Sequence, residues 1–179
     1  MGLDQYVFRI SKPQLEEREY ISDELSGYTR VSAKDFETNV GLYKAIKPYA
    51  VKRDVICELY DTEKMIADYN LPKDSYIYMY SPNGIRIGGQ DISSEEVDRK
   101  YTKTEVVSHY IWIEKEEAYW RKNYELADWM SQNIKGGTEN CGYYRLNKTL
   151  INRLNSKFKA NVPAESATEE CALFYWEWY

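Results

Sequence analysis

Two-residue alternation and helical spacing of apolar residues interleave along this chain of 179 residues. The mixture predicts an α+β protein: a single domain, with a mostly antiparallel sheet of about five strands packed by two or three helices. Three observations carry that expectation. Strand-like segments recur at 4–10, 51–60, 102–113, 143 onward and 172–179. An Asn-Gly pair sits between two β-rich runs, and amphipathic stretches occupy 116–134 and 149–158.

In order, residues 4–10 (DQYVFRI) read as a strand with Tyr6, Phe8 and Ile10 on one face and Gln5, Val7 and Arg9 on the other. Pro13 closes it. Residues 14–27 are acidic and aperiodic, which predicts an exposed loop with a single helical turn. Ser32 followed by Asp35 marks a helix start, and Phe36, Val40 and Tyr43 give its stripe until Lys47-Pro48 ends it. Residues 51–60 form a β-rich strand. Thr62-Glu63 opens a short helix through Met65, Ile66 and Tyr69, stopped at Leu71-Pro72.

The runs 76–80 and 85–87 flank Ser81-Pro82-Asn83-Gly84, and Asn-Gly there predicts a hairpin because both central residues tolerate positive φ. No Lys-Ser/Thr pair follows and the dinucleotide glycine spacing is absent, so the glycines here, including Gly88-Gly89, belong to turns. Ser93 or Ser94 caps a short acidic helix. Residues 102–113 run as a strand into the long helix expected at 116–134.

That helix would carry Tyr119, Trp120, Tyr124, Leu126, Ala127, Met130 and Ile134 on its buried face. Two residues disobey the pattern. Asn123 falls within the apolar stripe, either as a structural bridge to the Asn140-Cys141 turn or as an amide reading a ligand beside Tyr119 and Trp120. Trp129 falls on the polar side, where it is either covered by a neighbouring segment or offered to a partner. Gly136-Gly137 stops the helix, Asn140-Cys141-Gly142 turns the chain, and a strand begins at Tyr143. A helix at 149–158 follows, with Leu150, Ile151, Leu154 and Phe158 as its stripe. Residues 163–170 are a polar connector, and 171–179 form an aromatic strand that should dock into a sheet.

The residues AYWRKNYELADWM and ENCGYYRL, together with the opening MGLD, resemble a family of small bacteriophage-encoded proteins. The match rests on Met1–Asp4, Tyr119–Lys122, Asn123, Trp129 and Asn140–Tyr144, roughly a third of the chain. It departs at the C-terminal segment, where such proteins carry an aromatic-glycine stretch and this chain has CALFYWEWY. The resemblance implies a phage origin and a shared α+β fold. It carries over no active site.

Composition narrows function mostly by exclusion. With 29 acidic and 24 basic residues the net charge is −5, which does not suggest a general polyanion binder. No run of about 18 apolar residues and no basic-then-apolar leader occurs, so neither a membrane span nor a signal peptide is expected. Tyr6 stands where a myristoylation motif wants Ser or Thr. Cys57, Cys141 and Cys171 form no even framework, which suits the reducing cytoplasm of a host. The sequon Asn147-Lys148-Thr149 has no role there.

One histidine, His109, cannot anchor a zinc site without spaced partners, and none exist. A Cys141–His109 pair is the one nucleophilic arrangement to weigh. No catalytic residue, metal or cofactor is expected. The chain is instead rich in tyrosine, with 18 Tyr and 5 Trp, side chains suited to half-buried positions and recognition surfaces.

The first functional expectation is a non-enzymatic phage accessory protein, anti-CRISPR-like, that binds and inhibits a host or antiviral-defence protein or ribonucleoprotein. Trp129, Tyr143 and Tyr144 are its candidate contacts, with Asn123 and Asn140 as structural polar residues. The alternative is a small nucleic-acid- or nucleotide-binding protein. No acidic residue lies between Glu139 and Glu165, and Arg145, Lys148, Arg153 and Lys157 fall in that interval beside the two tyrosines.

Overall fold

The computed structural model describes residues 2–73, 78–81, 84–163 and 168–179. In chain order its elements are β1 (Asp4–Ser11), β2 (Tyr20–Ile21), β3 (Thr29–Ser32), α1 (Ala33–Thr38), α2 (Val40–Tyr43), β4 (Val51–Tyr60), α3 (Thr62–Tyr69), β5 (Tyr78–Ser81), β6 (Gly84–Ile87) and β7 (Gln90–Ile92). They continue with α4 (Ser94–Tyr101), β8 (Thr102–Arg121), α5 (Tyr124–Asn133), β9 (Tyr143–Arg145), α6 (Lys148–Phe158) and β10 (Cys171–Trp178). The α+β expectation holds. The main sheet is larger than about five strands: seven strands run in the order β2-β4-β8-β1-β10-β9, with β3 also paired to β8. A second sheet has the order β5-β6-β7.

The chain resolves into two compact units. The first comprises Met1–Arg18, Leu25–Asp54 and Ser108–Tyr179, and the second Glu19–Glu24 and Val55–Val107. In the first unit β1 lies between two antiparallel partners, pairing with β10 from Asp4↔Trp178 to Ser11↔Cys171 and with β8 from Asp4↔Arg121 to Ser11↔Ile113. β9 extends the sheet beyond β10. As the alternation predicts, the C-terminal strand docks, and Ala172 to Tyr175 are all buried.

A strand covered on both faces separates two cores. On one side Val7, Leu173 and Tyr175 meet Leu126 and Met130 of α5 and Leu150, Ile151 and Leu154 of α6. On the other, Ile10, Ala172 and Phe174 meet Phe36, Ile46, Tyr49 and Trp112. The stripe expected for 149–158 is thus the buried face of α6.

The long helix expected at 116–134 is not one helix. Strand β8 continues to Arg121 and α5 begins only at Tyr124. A β-bulge lies where the helix is expected to begin. Val7 pairs with Ala118 while Phe8 pairs with Glu116, leaving Glu117 as an extra residue. Trp112, on the Phe8 face, is an even-numbered position. Beyond the bulge the odd-numbered Tyr119 takes that face, against Tyr6, while Ala118 and Trp120 turn toward α5 and α6. The displaced Glu117 pairs with Arg9 at 2.7 Å. At the strand end Trp120 stands four residues before Tyr124 and seven before Ala127 of α5, and Tyr119 seven before Leu126, so strand and helix together show spacing normally read as one helix.

Asn123 therefore lies at a helix end, not within a helical stripe. Its side chain caps α5, accepting from the Leu126 backbone N–H at 3.0 Å. It does not brace the Asn140-Cys141 turn. That turn is held by the Cys141 N–H donating to the Glu177 carbonyl at 2.7 Å and by the Tyr179 N–H donating to Asn140 Oδ1 at 3.0 Å.

The start at Ser32 is confirmed by its side chain accepting from the Asp35 N–H. The expected run through Val40 and Tyr43 is broken at Asn39 into α1 and α2, and Val40 is exposed. Residues 14–27 hold a 3₁₀ turn at Ser22–Leu25, as anticipated, and also the short strand β2.

The second unit builds its core from Met65, Ile85, Ile87, Ile92, Val97 and Tyr101. Asp61 caps α3 and Ser93 caps α4. β5 and β6 pair antiparallel as the Asn-Gly signal predicts, although residues 82–83 of that turn, and 76–77 of the preceding run, lie outside the described residues. Gly84 has φ +125°, and a Cβ there would collide with the Ile92 carbonyl, so glycine is required. Gly88-Gly89 makes a second hairpin turn, into β7.

The placement of Asn123 has a measurable sign. As a cap, Asn123→Ala should lower stability by about 1 kcal/mol. Within a helix the same change would instead stabilise by about half a kcal/mol. Urea unfolding of the two proteins distinguishes them.

Candidate partner-binding face

The side of the first unit's sheet opposite α5 and α6 carries a connected array of aromatic rings. Because alternate residues of a strand share a face, β1 contributes Tyr6 and Phe8, and β10 contributes Trp176. Tyr6 stacks on Phe8 with ring centroids 5.0 Å apart and meets Tyr119 of β8 at 4.8 Å and Trp176 at 5.6 Å in tilted contacts. The array continues from Trp176 to Tyr143 at 6.5 Å and from Tyr143 to Tyr43 at 6.3 Å. Its Tyr43–Tyr143 end merges into the core around Phe36 and Trp112. Its other end is open: Tyr119 is 44% exposed, and Trp178, two residues beyond Trp176 on β10, is 53% exposed.

Carboxylates border the array. Asp4 accepts from the Tyr119 hydroxyl at 2.7 Å, and Glu114 accepts from the Tyr143 hydroxyl at 2.6 Å and from the Trp112 indole N–H at 2.8 Å. The hydrogen bond to Asp4, helped by partial desolvation, raises the Tyr119 phenol above its ordinary value. Desolvation first, then the negative charges of Asp4 and Glu116, do the same for Tyr6. Burial first, then Glu114, raises Tyr143 far more. Tyr119 and Tyr143 are fixed as donors to Asp4 and Glu114, and the margin of the aromatic surface also holds Arg121, whose guanidinium lies 4.0 Å from Asp4.

Of the residues expected to contact a partner, Tyr143 joins this array with its hydroxyl held by Glu114. Tyr144 packs against the opposite core, and its hydroxyl accepts from the Glu139 N–H. Trp129 is half-buried between α5 and α6, edge-on to Phe158 at 5.5 Å and beneath the Arg153 guanidinium at 5.5 Å. Its cover comes from its own chain.

The basic segment is partly engaged in the same way. Lys157 pairs with Glu125 at 2.7 Å, Arg145 lies 6.0 Å from the Tyr49 ring, and Lys148 is exposed at the start of α6. Asn140 accepts from the backbone of Tyr179 and, more weakly, from the Cys141 thiol at 3.7 Å. Cys141 sits in that turn with φ +63°, whereas His109 lies on β8 in register with Ser32.

Among the described residues, no group of three or more His, Cys, Asp or Glu side chains could hold a metal ion, and no helix is long and apolar enough to cross a membrane. The alternation of residues 4–10 and 172–179 already sorted Tyr6, Phe8, Trp176 and Trp178 onto shared faces. Which faces a helix would cover was not readable. Comparison of the chain with family models, curated proteins and solved structures returns no match.

Two outcomes follow from these packing arrangements. Trp129→Ala should lower stability by roughly 2–3 kcal/mol, below the roughly 3–5 kcal/mol of a fully buried aromatic because the ring is only half-buried, and urea midpoints read the loss. Tyr143 supplies a pH dependence. Its folded pKa is raised above the unfolded value of about 10, so the associated stability is present below about pH 10 and declines as pH rises beyond it. Tyr143→Phe should therefore lose stability less steeply above about pH 10 than the parent, measured by unfolding at a series of alkaline pH values.

Proposed function

We propose that the protein is a non-enzymatic binding protein that engages a protein partner through the open end of its aromatic sheet face, centred on Tyr6, Tyr119, Trp176 and Trp178. The observation that carries this reading is the ring array itself. Large aromatic side chains lie partly exposed on rigid paired strands, where little conformational entropy is lost on docking, and Tyr and Trp are the residue types that dominate interface energetics. The exposed Glu116 at the margin favours a partner surface bearing Lys or Arg, which can both pair with a carboxylate and lie over aromatic rings, Asp4 being engaged by Tyr119 and Arg121. The resemblance to phage-encoded proteins supports a phage accessory role in the host cytoplasm. The partner is then a host or antiviral-defence component, inhibited by occlusion in the manner of an anti-CRISPR protein.

Nucleic acid is the second reading, and one specific observation favours it: aromatic side chains on an open sheet are a common platform for stacking single-stranded bases. The exposed Glu116 at the margin opposes it. In addition, Arg153 and Lys157 are engaged with Trp129 and Glu125.

Affinity capture from lysates of defence-bearing and defence-lacking bacteria, followed by titration of the purified partner, tests the first reading. The double variant Tyr119→Ala, Trp178→Ala should weaken the complex by at least about tenfold, or about 1.4 kcal/mol, while Lys148→Glu leaves it unchanged. An empty capture from both lysates, or a complex indifferent to the double variant, overturns it. Binding of single-stranded nucleic acid that weakens steeply with salt and in Lys148→Glu would establish the second reading instead.

A further inference from the structure

On the other side of the same sheet, a buried carboxylate faces a cavity. Glu177 is 2% exposed, on the β10 face that packs toward α5. Its Oε2 accepts from the Tyr175 hydroxyl at 2.7 Å, and that hydroxyl accepts in turn from Gln5 Nε2 at 3.1 Å. Gln5 is itself fixed by donating to the Asn123 carbonyl at 3.0 Å and accepting from the Asn123 N–H at 3.2 Å. The carboxylate is therefore oriented by a network spanning β1, β10 and the first turn of α5.

The second oxygen is different. Among the described residues no hydrogen bond reaches Glu177 Oε1, and no fully buried side-chain polar atom lacks a partner. Oε1 must therefore keep access to the cavity that Glu177 lines. That cavity has a volume of about 370 Å³ and is also bordered by Tyr124, Asp128, Ser131, Thr138 and Tyr179. Its described lining contains two carboxylates and no Lys or Arg.

A carboxylate oriented through one oxygen, with the other open to a cavity, presents a fixed acceptor to a ligand donor, and among the described lining residues no cation takes that role. The volume is that of a small-ligand site. Ser131 and Thr138 offer hydroxyl acceptors for N–H donors, and Tyr124 and Tyr179 offer aromatic surface to a cation. No third His, Cys, Asp or Glu side chain joins the two carboxylates among the described residues to complete a metal site.

We propose that this cavity binds an organic cation, a primary alkylammonium or guanidinium group, with Glu177 Oε1 as its buried acceptor and Asp128 at its mouth. The site is separate from the aromatic face and does not depend on the function assigned there. The cation's source is either a small molecule or a Lys or Arg side chain, and the probes separate the two.

Calorimetric titration of the intact protein with agmatine, with butylamine and with a Gly-Arg-Gly peptide tests it, 1-butanol serving as the neutral control. Saturable one-to-one binding with Kd of about 1 mM or tighter is expected for at least one cation, and none for butanol. Response to agmatine or butylamine assigns a small-molecule site, and response to the peptide alone assigns a side chain. Glu177→Gln keeps the shape and the acceptor for Tyr175, and should weaken binding by at least about tenfold with the circular dichroism spectrum unchanged. Should that variant fail to fold, Asp128→Asn at the exposed mouth should still weaken the cation severalfold. No saturable binding of any cation, equal binding of butanol, or affinity unmoved in the folded variants overturns the proposal.

Discussion

Eight residues of β1 pair with eight residues of β10, and both cores of the first unit are built on that ladder. Val7, Leu173 and Tyr175 belong to one core, Ile10, Ala172 and Phe174 to the other. The register is not adjustable: a slip of one residue would exchange the two sets and carry Tyr175 and Glu177 to the wrong face. Gln5 fixes it further by bonding across the ladder to Tyr175 and onward to the start of α5. The partners in that contact are 170 residues apart, so loop-closure entropy must be overcome before either core is complete. The polar network contributes uniqueness to a ladder whose apolar residues alone would tolerate alternatives.

How much of this was legible depends on whether local chemistry or pairing sets the outcome. Ser32 and Ser93 are helix caps that short-range hydrogen bonding determines, and each stands where the sequence signals it, while Asp61 caps the helix whose opening the sequence signals at Thr62-Glu63. Residues 4–10 and the aromatic run 172–179 both read as strands, and both are. The failure at 114–123 has a different origin. The bulge at Glu117 lies in the pairing of β8 with β1, and the apolar pair Tyr119-Trp120 beyond it runs in helical spacing into α5, so the strand end resembles the first turns of the helix. The glycine signal after it is sound, since Gly136 and Gly137 adopt positive φ beyond α5, whereas Asn123, expected inside the helical stripe, caps the start of α5 instead.

The candidate site was legible in composition and not in location. Tyrosine richness pointed to recognition, but the rings that remain accessible are those no helix covers, and that is a tertiary property. Trp129 and Trp178 are chemically the same side chain. α6 covers the first with Phe158 and Arg153, while the second lies at the end of β10 with half its surface exposed. Sequence spacing marked Trp129 as anomalous because it fell on the polar side of a helix. Once α6 packs there, that side is no longer a solvent face.

The same reasoning weakens charge segregation as a functional signal. The interval between Glu139 and Glu165 is wholly basic in its charged residues, which in one dimension resembles a polyanion site. In the folded unit Arg153 lies over Trp129 and Lys157 pairs with Glu125, an acidic partner supplied by the neighbouring helix α5. The reverse holds at Glu177. It is one acidic residue in an aromatic strand, inconspicuous among 29, yet the fold buries it, orients one oxygen and leaves the other facing a cavity. Charge gains chemical meaning from the partners the fold supplies or withholds, and by that measure the lone carboxylate is the more informative of the two.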